Sequence, residues 1–331
     1  MDKIAIFYSE QSIYWSSVIL MLAVLVAVFC FLALYLWKDR NIAAAFGAVP
    51  LAVFLSFLCA RVIHWYCFTE SYRSFAAAMG NYGEGGFALI GAFAGCALTV
   101  AILRLVRILE HPARMLDCMC LGGGIGIAIG RLTSFFNASN RGQIMENIRS
   151  LPWASPVINV VSGATEYRLA TFLLQAIAVG GLTLVLTLLY VTQKGKKWKD
   201  GDVSLVFLLC YSTAQIVLDS TRYDSMYFRS NGFVSVVQVC GAVAIVLIAV
   251  LFSVRLVKSR GFRIGYGLLW GIMAALLGCA GYMEYYVQRH GGQAAMAYGI
   301  MGASLCTYVV LVLATRVAGR RNDAELKTTR C

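Results

Sequence analysis

The sequence predicts an all-α, polytopic integral membrane protein, and three observations support that prediction. Hydrophobic residues make up 60% of the 331 residues, only 13% are charged, and the mean hydropathy is +0.74; soluble domains are roughly 45–50% apolar and about 25% charged. Apolar runs long enough to cross a bilayer recur along the chain. The basic residues stand in short loops between these runs, which indicates membrane topology and not nucleic-acid binding.

Nine transmembrane spans can be drawn from the apolar runs. They cover about 14–37, 42–66, 85–106, 115–136, 169–191, 203–218, 233–257, 264–282 and 297–315. Pro50 is expected to kink the second span, a distortion that neighbouring helices tolerate. We expect the first seven spans to form one bundle within residues 1–257. Residues 258–331 then form an appended helical hairpin with a basic cytoplasmic tail.

The basic residues also predict the orientation. Alternate loops and the C-terminal tail, assigned to one side, hold eighteen of the 28 lysines and arginines. They are Lys38, Arg40, Arg104, Arg107, Arg114, Lys194, Lys196, Lys197, Lys199, Arg255, Lys258, Arg260, Arg263, Arg316, Arg320, Arg321, Lys327 and Arg330. The positive-inside rule places this side in the cytoplasm and the N-terminus outside. On the outer side, residues 137–168 are expected to form a small extracytoplasmic cap, in which Pro152 and Pro156 favour extended or turn structure.

The stretch from 121 to 142, LGGGIGIAIGRLTSFFNASNRG, combines close helix packing with a charge. Gly122, Gly126 and Gly130 lie four residues apart on one helix face, which another backbone can approach closely. The apolar run then ends at Arg131. An arginine near bilayer depth costs about 2.5–3.5 kcal/mol on insertion scales, so it needs a partner, often an anion. The alternative is that Arg131 snorkels to the headgroups or bonds carbonyls at the helix end; spacing does not decide between the two.

The unusual polar residues fall at the outer ends of the spans. They are Arg61 and His64 on the second span, Glu84-Gly85-Gly86 before the third, Arg131 to Asn140 after the fourth, and Tyr211, Gln215, Asp219 and Arg222 on one face of the sixth. If these ends converge, they form an outward-facing polar chamber whose arginines suit a phosphate. Alternatively, Asp219 and Arg222 form a local ion pair, and His64 is an interfacial aromatic.

Other kinds of chemistry find little support in the sequence. It contains no Ser-His-Asp order, Walker motif or HExxH. The eleven cysteines are scattered singly, mostly inside spans, and are typical of hydrophobic packing. Cys118-Met119-Cys120 is too short and too deep in a span for a metal site. We therefore expect neither a metal nor a cofactor.

At these residues the chain resembles the prolipoprotein diacylglyceryl transferase family, over about residues 10–257. The resemblance implies a bacterial inner-membrane enzyme with seven spans and an outside N-terminus. Such enzymes move diacylglycerol from phosphatidylglycerol to the lipobox cysteine of a preprolipoprotein. The family signature Gly-Arg-x-Gly-Asn-Phe-x-Asn-Gly-Glu is matched by residues 130–139, GRLTSFFNAS. Glycine, arginine, phenylalanine and the second asparagine are kept, whereas Ser134 and Ser139 replace the first asparagine and the glutamate.

Other positions extend the resemblance. Glu84-Gly85-Gly86 matches an acidic-Gly-Gly motif that opens the third span in the family, and Tyr14-Trp15 matches an aromatic pair that opens the first. Arg61 matches the arginine of a Gly-Arg at the end of the second span. Tyr211, Asp219 and Arg222 match the family's late tyrosine, acidic and arginine positions. Two positions depart from the family: its histidine falls on Ile90, and an essential arginine falls on Gln215. A missing base costs about 10²–10⁴ in rate and a missing electrostatic donor about 10²–10³, so reduced activity is implied. Glu84, His64 and Tyr211 are candidates to replace the base.

The resemblance implies a set of site residues and partners. Catalytic roles fall to Arg131, Tyr211 and Glu84, and substrate contacts to Ser134, Asn137, Asp219, Arg222, Arg61 and Gln215. Arg131 and Arg222 would hold the phosphate, while Asn137, Ser134 and Tyr211 orient the glycerol. The expected partners are phosphatidylglycerol or another anionic phospholipid and the prolipoprotein signal segment, with no nucleic acid, and we expect a monomer in the bacterial cytoplasmic membrane.

Two other functions stay open from the sequence. One is a non-catalytic paralogue that binds phospholipid or lipoprotein signal segments and keeps the anion site without the base. The other is a transporter, which should show internal repeats and charges at the membrane midplane. Neither feature is found in the sequence, which makes transport the weaker alternative.

Overall fold

The structure, a computed structural model, describes residues 4–8, 11–80, 86–144, 153–158, 163–192, 198–228, 234–290 and 294–328. Glu84, one of the predicted site residues, lies outside these ranges, as do Gly85 and Pro152. Within them the helices are α1 (Trp15–Lys38), α2 (Ile42–Cys67), α3 (Phe75–Gly80), α4 (Leu89–Leu105), α5 (Pro112–Arg131), α6 (Thr171–Thr192), α7 (Asp202–Ser220), α8 (Val236–Arg260), α9 (Ile264–His290) and α10 (Ala294–Thr328). The strands are β1 (Ile4–Tyr8), β2 (Gln11–Tyr14), β3 (Ala154–Ile158) and β4 (Thr165–Leu169).

A helix lies at each of the nine predicted spans. In the part of the chain that the structure describes, eight helices are long and apolar enough to cross a membrane, and α4, with 17 residues, is a shorter apolar helix. This confirms the all-α polytopic prediction. The third span begins at Leu89 and not near 85, because the extended Ala88 donates its N–H to the Ala60 carbonyl (3.1 Å) before the helix starts.

The prediction that Arg222 lies on the same helix face as Tyr211, Gln215 and Asp219 was wrong. Helix α7 ends at Ser220, so Arg222 does not share a helix face with Tyr211, Gln215 and Asp219. After the helix ends, the backbone forms hydrogen bonds with the loop that follows α5. Arg222 pairs with Gly142 in an antiparallel bridge, and the Tyr223 N–H donates to the Arg141 carbonyl (3.2 Å).

The predicted cap contains an antiparallel hairpin of β3 and β4. Pro156 lies inside β3 opposite Tyr167, which agrees with the extended structure expected there. A second hairpin, β1 with β2, precedes α1 and was missed by the helix-only prediction. The short runs IAIFY and QSIY are rich in β-branched and aromatic residues, a strand signal that the sequence did contain.

The chain divides into two compact units. The first holds residues 1–207 and 221–232, and the second holds 208–220 and 233–331. Helix α7 is shared, since its N-terminal part belongs to the first unit and its C-terminal part to the second. The predicted boundary at 257/258 stays a prediction about domain organisation; by packing alone, α8 groups with α9 and α10.

In the first unit, α1 packs against α5 and α2 against α4, and glycines line both contacts. A Cβ on Gly122 would lie 2.6 Å from the Ala27 carbonyl oxygen of α1, and one on Gly91 would lie 2.4 Å from the Ala60 backbone of α2. The close approach predicted for the glycine face of α5 is therefore confirmed. Small residues permit such contacts because no side chain separates the two backbones.

Two further contacts fix the start of α7 in the first unit. Asp117, which is 1% exposed, accepts hydrogen bonds from the backbone N–H groups of Gly201 and Ser204, each at 2.7 Å. A carboxylate at a helix N-terminus satisfies otherwise unpaired N–H groups. Nearby, Arg114 bridges Asp39 (3.3 Å) and Asp200 (3.0 Å).

The second unit is held together by contacts among α8, α9 and α10. The Tyr308 hydroxyl of α10 donates to the Ile245 carbonyl of α8 (3.2 Å), and Trp270 of α9 donates its indole N–H to Ser253 of α8 (3.0 Å). Helix α9 continues to His290 instead of ending near 282, and the buried Glu284 in this added part accepts a bond from Gln288 one turn later (3.1 Å).

Candidate functional site

The candidate site lies where the chain leaves α5. Arg131 is the last helical residue, and a single 3₁₀ turn, Leu132–Phe135, follows it. The Leu132 N–H and the Thr133 hydroxyl bond the carbonyls of the last helical turn. The backbone then turns at Asn140, whose φ is +56°. Asparagine tolerates this left-handed conformation better than most residues do, so the local sequence favours a tight polar loop here.

The polar side chains of this loop form one connected network. The Asn140 amide nitrogen Nδ2 donates to the Ser134 hydroxyl (3.1 Å) and the Ser139 hydroxyl (3.3 Å). Asn137 accepts from the backbone N–H (3.1 Å) and the hydroxyl of Ser139. Arg131 completes the network by donating from Nη1 to the Asn140 side-chain oxygen Oδ1 (2.9 Å). The structure thus brings the predicted residues Arg131, Ser134 and Asn137 together, and adds Ser139 and Asn140.

Arg131 carries a charge that no acid neutralises among the described residues. Its one hydrogen bond there goes to the neutral Asn140, and its Nε is buried without a partner. The carbonyls at the end of α5 are bonded by Leu132 and Thr133 instead. A buried donor left unpaired costs about 1–3 kcal/mol, which an anionic oxygen would recover. Among the described residues Arg131 does not bond the helix-end carbonyls, and an anion partner for it stays a prediction.

The two neighbouring arginines, Arg141 and Arg168, make more contacts than Arg131, although the Nε of each is likewise buried without a partner among the described residues. Arg141, 7% exposed, donates to the carbonyls of Pro156 (2.9 Å), Ser134 (3.2 Å) and Asn137 (3.1 Å), which joins the loop to the cap. Burial lowers the pKa of its guanidinium from the usual value. Arg168 pairs with Glu166 (2.9 Å) and stacks over Tyr223, with 4.4 Å from the guanidinium carbon to the ring centre.

Asp224 links Arg222 to the same loop. The Arg222 Nε donates to Asp224 Oδ1 (3.0 Å), and the Asn140 backbone N–H donates to Asp224 Oδ2 (2.8 Å). Arg131 and Arg222 therefore lie on one hydrogen-bonded chain that passes through Asn140 and Asp224. Gly142 allows the loop to pack closely against the residues before and at the start of α6, since a Cβ there would lie 2.8 Å from both Leu169 Cβ and Thr171 Oγ1.

Arg61 is placed differently from Arg131. It is 1% exposed, and it donates to the carbonyls of Ala78 (2.6 Å) and Gly86 (2.8 Å). Its guanidinium carbon lies 5.2 Å from the Tyr72 ring centre and 5.3 Å from that of Phe87. These contacts tie the segment between α2 and α4 to the end of α2. Its predicted role as a substrate contact stays a proposal.

His64, one turn after Arg61, faces the same segment. Its Nδ1 shares a hydrogen bond with the Tyr72 hydroxyl (3.0 Å), and its ring lies 4.7 Å from that of Phe68. Gly86 fits beside it only as a glycine, because its φ is +85° and a Cβ would lie 2.7 Å from His64 Cε1. Ile90, the position of the family histidine, is half-buried in the first turn of α4.

Tyr211, Gln215 and Asp219 lie on α7 within the second compact unit. They are 7%, 1% and 1% exposed, and Asp219 accepts a short hydrogen bond from the Ser235 hydroxyl. Sequence reasoning assigned no role to Asn140 or Asp224. The only sequence signals were the polar run after Arg131 and the acid two residues after Arg222.

Comparison with known proteins assigns the chain to a family. The family model described as prolipoprotein diacylglyceryl transferase matches residues 3–255. Proteins named phosphatidylglycerol–prolipoprotein diacylglyceryl transferase are similar to the chain. The Streptococcus uberis protein is 24% identical over 255 residues, 75% of this chain and 95% of the relative. The Clostridioides difficile protein is 24% identical over 257 residues (76% and 96%), and the Clostridium kluyveri protein 27% over 269 residues (80% and 100%).

Proposed function

Because the chain belongs to the prolipoprotein diacylglyceryl transferase family, we propose that it transfers the diacylglyceryl group of phosphatidylglycerol to the lipobox cysteine of a prolipoprotein. The similar proteins carry that activity in their names, and the described helices are those of a multi-pass membrane protein. The membrane of action is then the bacterial cytoplasmic membrane, at its outer leaflet. Phosphatidylglycerol and a prolipoprotein signal segment are the two substrates.

The single observation that supports this proposal most is the state of Arg131. The transfer breaks the bond between a glyceryl carbon and a phosphate oxygen and forms a carbon–sulfur bond, so negative charge grows on the departing glycerol phosphate. A guanidinium without an acidic partner can stabilise that charge. Arg131 meets this condition among the described residues, whereas the Arg222 charge is already paired with Asp224. We keep Arg222 as a second, weaker candidate for the phosphate.

The thiol must also lose its proton before the sulfur attacks. A free thiol is a few per cent thiolate at neutral pH, and a nearby base raises that fraction. His64 is the candidate base that the structure describes best, since it is half-buried and its ring is oriented by Tyr72. Glu84 and Tyr211 stay candidates from the sequence. Ser134 and Asn137 are proposed to orient the glycerol.

A second candidate function is phospholipid binding without transfer. The identity of two residues favours it: Ile90 supplies no base at the family histidine position, and Gln215 supplies no charge at the family arginine position. A protein of this kind would bind phosphatidylglycerol through Arg131 and would not support lipoprotein modification. The two functions therefore differ in turnover and agree in lipid binding.

Substitution of Arg131 tests the part that both functions share. Arg131→Lys keeps the charge but loses the planar fork, and we expect weaker phosphatidylglycerol binding by about 1.5–3 kcal/mol, the worth of a hydrogen bond to a charged group. Titration of the purified protein with the lipid measures this. Arg104→Lys is the matched control and should bind like the wild type, because Arg104 lies in the last turn of α4, on the predicted cytoplasmic side. Equal binding by wild type, Arg131→Lys and Arg131→Ala would leave Arg131 as a snorkelling helix end.

Complementation of a strain depleted of its own transferase tests the catalytic half of the proposal. Rescue of lipoprotein modification by the wild type, and its loss in Arg131→Ala at equal membrane abundance, is the expected result. Failure of the wild type to rescue, with phosphatidylglycerol binding intact, would favour the binding function.

A further inference from the structure

We infer that Asn140 is a positioning residue that orients the Arg131 guanidinium toward an anionic lipid headgroup while leaving its positive charge unneutralised. The inference rests on the proposed function and adds to it a residue outside the family signature.

Every polar group of Asn140 has a partner. The side-chain oxygen accepts from Arg131 Nη1 (2.9 Å) and the side-chain nitrogen donates to Ser134 Oγ (3.1 Å). The backbone N–H donates to Asp224 (2.8 Å), and the backbone carbonyl accepts from the Phe172 N–H (2.9 Å). The side chain is held through both its oxygen and its nitrogen, and the backbone is held on both sides, so the side chain cannot rotate without losing hydrogen bonds. Asn140 is therefore a rigid support for the Arg131 guanidinium.

The neutral amide distinguishes this contact from those of Arg222 and Arg168; Arg141 also bonds neutral groups, but three backbone carbonyls already share its guanidinium. Arg222 and Arg168 each face a carboxylate, from Asp224 (3.0 Å) and Glu166 (2.9 Å) respectively. A carboxylate orients a guanidinium but also cancels its charge, so a lipid phosphate would have to compete with it. A carboxamide offers the same oxygen without the charge. Arg131 consequently keeps its attraction for an anion.

One edge of the Arg131 guanidinium also keeps a buried donor that Asn140 does not use. Asn140 accepts from Nη1, whereas Nε has no partner among the described residues. The edge that carries Nε and Nη2 is one of the two planar forks with which arginine binds phosphate through paired hydrogen bonds. Ser139, which bonds Asn140, stands where the family signature has a glutamate, so the residue before Asn140 is neutral as well.

Asp224 extends the support to the second arginine. It accepts from the Asn140 N–H with one oxygen and from Arg222 Nε with the other. Arg222 thus acts on Arg131 through Asp224 and Asn140, even though its own charge is paired.

Two substitutions of Asn140 separate the effect of a charge beside Arg131 from the effect of losing the side chain that orients it. Asn140→Asp keeps the shape and the oxygen and adds a negative charge beside Arg131. Asn140→Gly removes the side chain and accepts the left-handed backbone at φ +56° without strain. Asn41→Asp is the matched control, because Asn41 caps α2 (Ala44 N–H to Asn41 Oδ1, 3.0 Å) and aspartate caps equally well. The change gives up one exposed hydrogen bond, from Asn41 Nδ2 to the Ile108 carbonyl (3.1 Å).

The full-length proteins are titrated in detergent with phosphatidylglycerol and, separately, with zwitterionic phosphatidylcholine. We expect Asn140→Asp to lower phosphatidylglycerol affinity at least about tenfold, with phosphatidylcholine binding unchanged. Asn140→Gly should show a smaller loss, since the charge of Arg131 remains, and Asn41→Asp should match the wild type. Thermal unfolding of each variant checks that the fold is kept.

The outcomes distinguish this inference from the proposed function. If Arg131→Lys loses the preference for phosphatidylglycerol but both Asn140 variants keep it, the proposed function stands and the inference is overturned. Equal losses in Asn140→Asp and Asn140→Gly would make Asn140 a structural residue only and would also overturn it. If the wild type shows no preference for phosphatidylglycerol, the proposed function fails and the inference fails with it.

Discussion

At the scale of single residues, Arg61 and Arg131 show how partners decide the role of a charge. Both were predicted at the outer ends of spans, in the company of other polar residues. Arg61 donates to two carbonyls and lies between two aromatic rings, so its removal should damage the fold. Arg131 donates to one neutral amide, so its removal should damage lipid binding first.

Restoring the two family groups that the chain lacks is the sharpest prediction at this scale. If the protein is a slow enzyme, Ile90→His combined with Gln215→Arg should raise transfer to a lipobox cysteine at least about tenfold, because a general base alone contributes about 10²–10⁴. The measurement is the transfer rate in membranes from cells of equal protein abundance. Each single substitution serves as the control for the pair.

The same double substitution has a different expected result if the protein only binds lipid. An imidazole and a guanidinium would then be buried without partners, which should lower the free energy of unfolding by a few kcal/mol and give no turnover. Lower stability together with absent transfer in the double variant would contradict the slow-enzyme prediction.

At the scale of elements, the contact between α1 and α5 depends on glycine at particular positions. Gly122→Ala should lower the free energy of unfolding by about 1–3 kcal/mol, because the added Cβ would lie 2.6 Å from the Ala27 carbonyl oxygen. The next residue is the control, since a Cβ on Gly123 meets nothing within 4 Å. Gly123→Ala should be neutral or stabilising by about 0.5–1 kcal/mol, since alanine is the better helix former.

Thermal unfolding of both variants in the same detergent measures the difference. Equal melting temperatures for Gly122→Ala and Gly123→Ala would show that α1 and α5 separate without cost, and the packing described for this pair would be wrong.

The start of α7 provides a second prediction for an element. Asp117→Asn should cost about 1–3 kcal/mol, because the two N–H groups of Gly201 and Ser204 share a carboxylate that an amide replaces only in part. Asp200→Asn is the control: the Asp200 side chain is 48% exposed and pairs with Arg114, and exposed ion pairs contribute about 0–1 kcal/mol. A larger loss of stability in Asp200→Asn than in Asp117→Asn would contradict the capping role.

At the scale of the whole molecule, the family match and the compact units end at different places. The match ends at residue 255, whereas the second unit joins α8 to α9 and α10. The last span of the family region is therefore packed against helices that lie beyond the match. Tyr308 and Trp270 make these contacts through hydrogen bonds to α8, so the last two helices help to hold α8 in place.

Membrane orientation is the prediction that belongs to the whole chain. The lysines and arginines place the 193–202 loop and the C-terminal tail in the cytoplasm. A cysteine introduced at position 145 should react with a membrane-impermeant reagent added from outside, and one at 196 should react only after the membrane is permeabilised. Both positions lie outside the described residues. The reverse labelling pattern would discard the orientation and with it the outer-leaflet site.

The sequence by itself determined that the chain is a bundle of membrane helices, approximately where the helices lie, and that α5 packs through glycines. This is possible because a backbone in lipid must satisfy its hydrogen bonds within each helix, so apolar length and small-residue spacing are sufficient information. It also located the polar loop after Arg131. Only the tertiary structure decided which partners each arginine has in the described part of the chain, because Asp224 and Asn140 meet across 84 positions and Arg61 finds acceptors on a separate segment. A side chain's partners depend on where distant loops return, and no local periodicity contains that information.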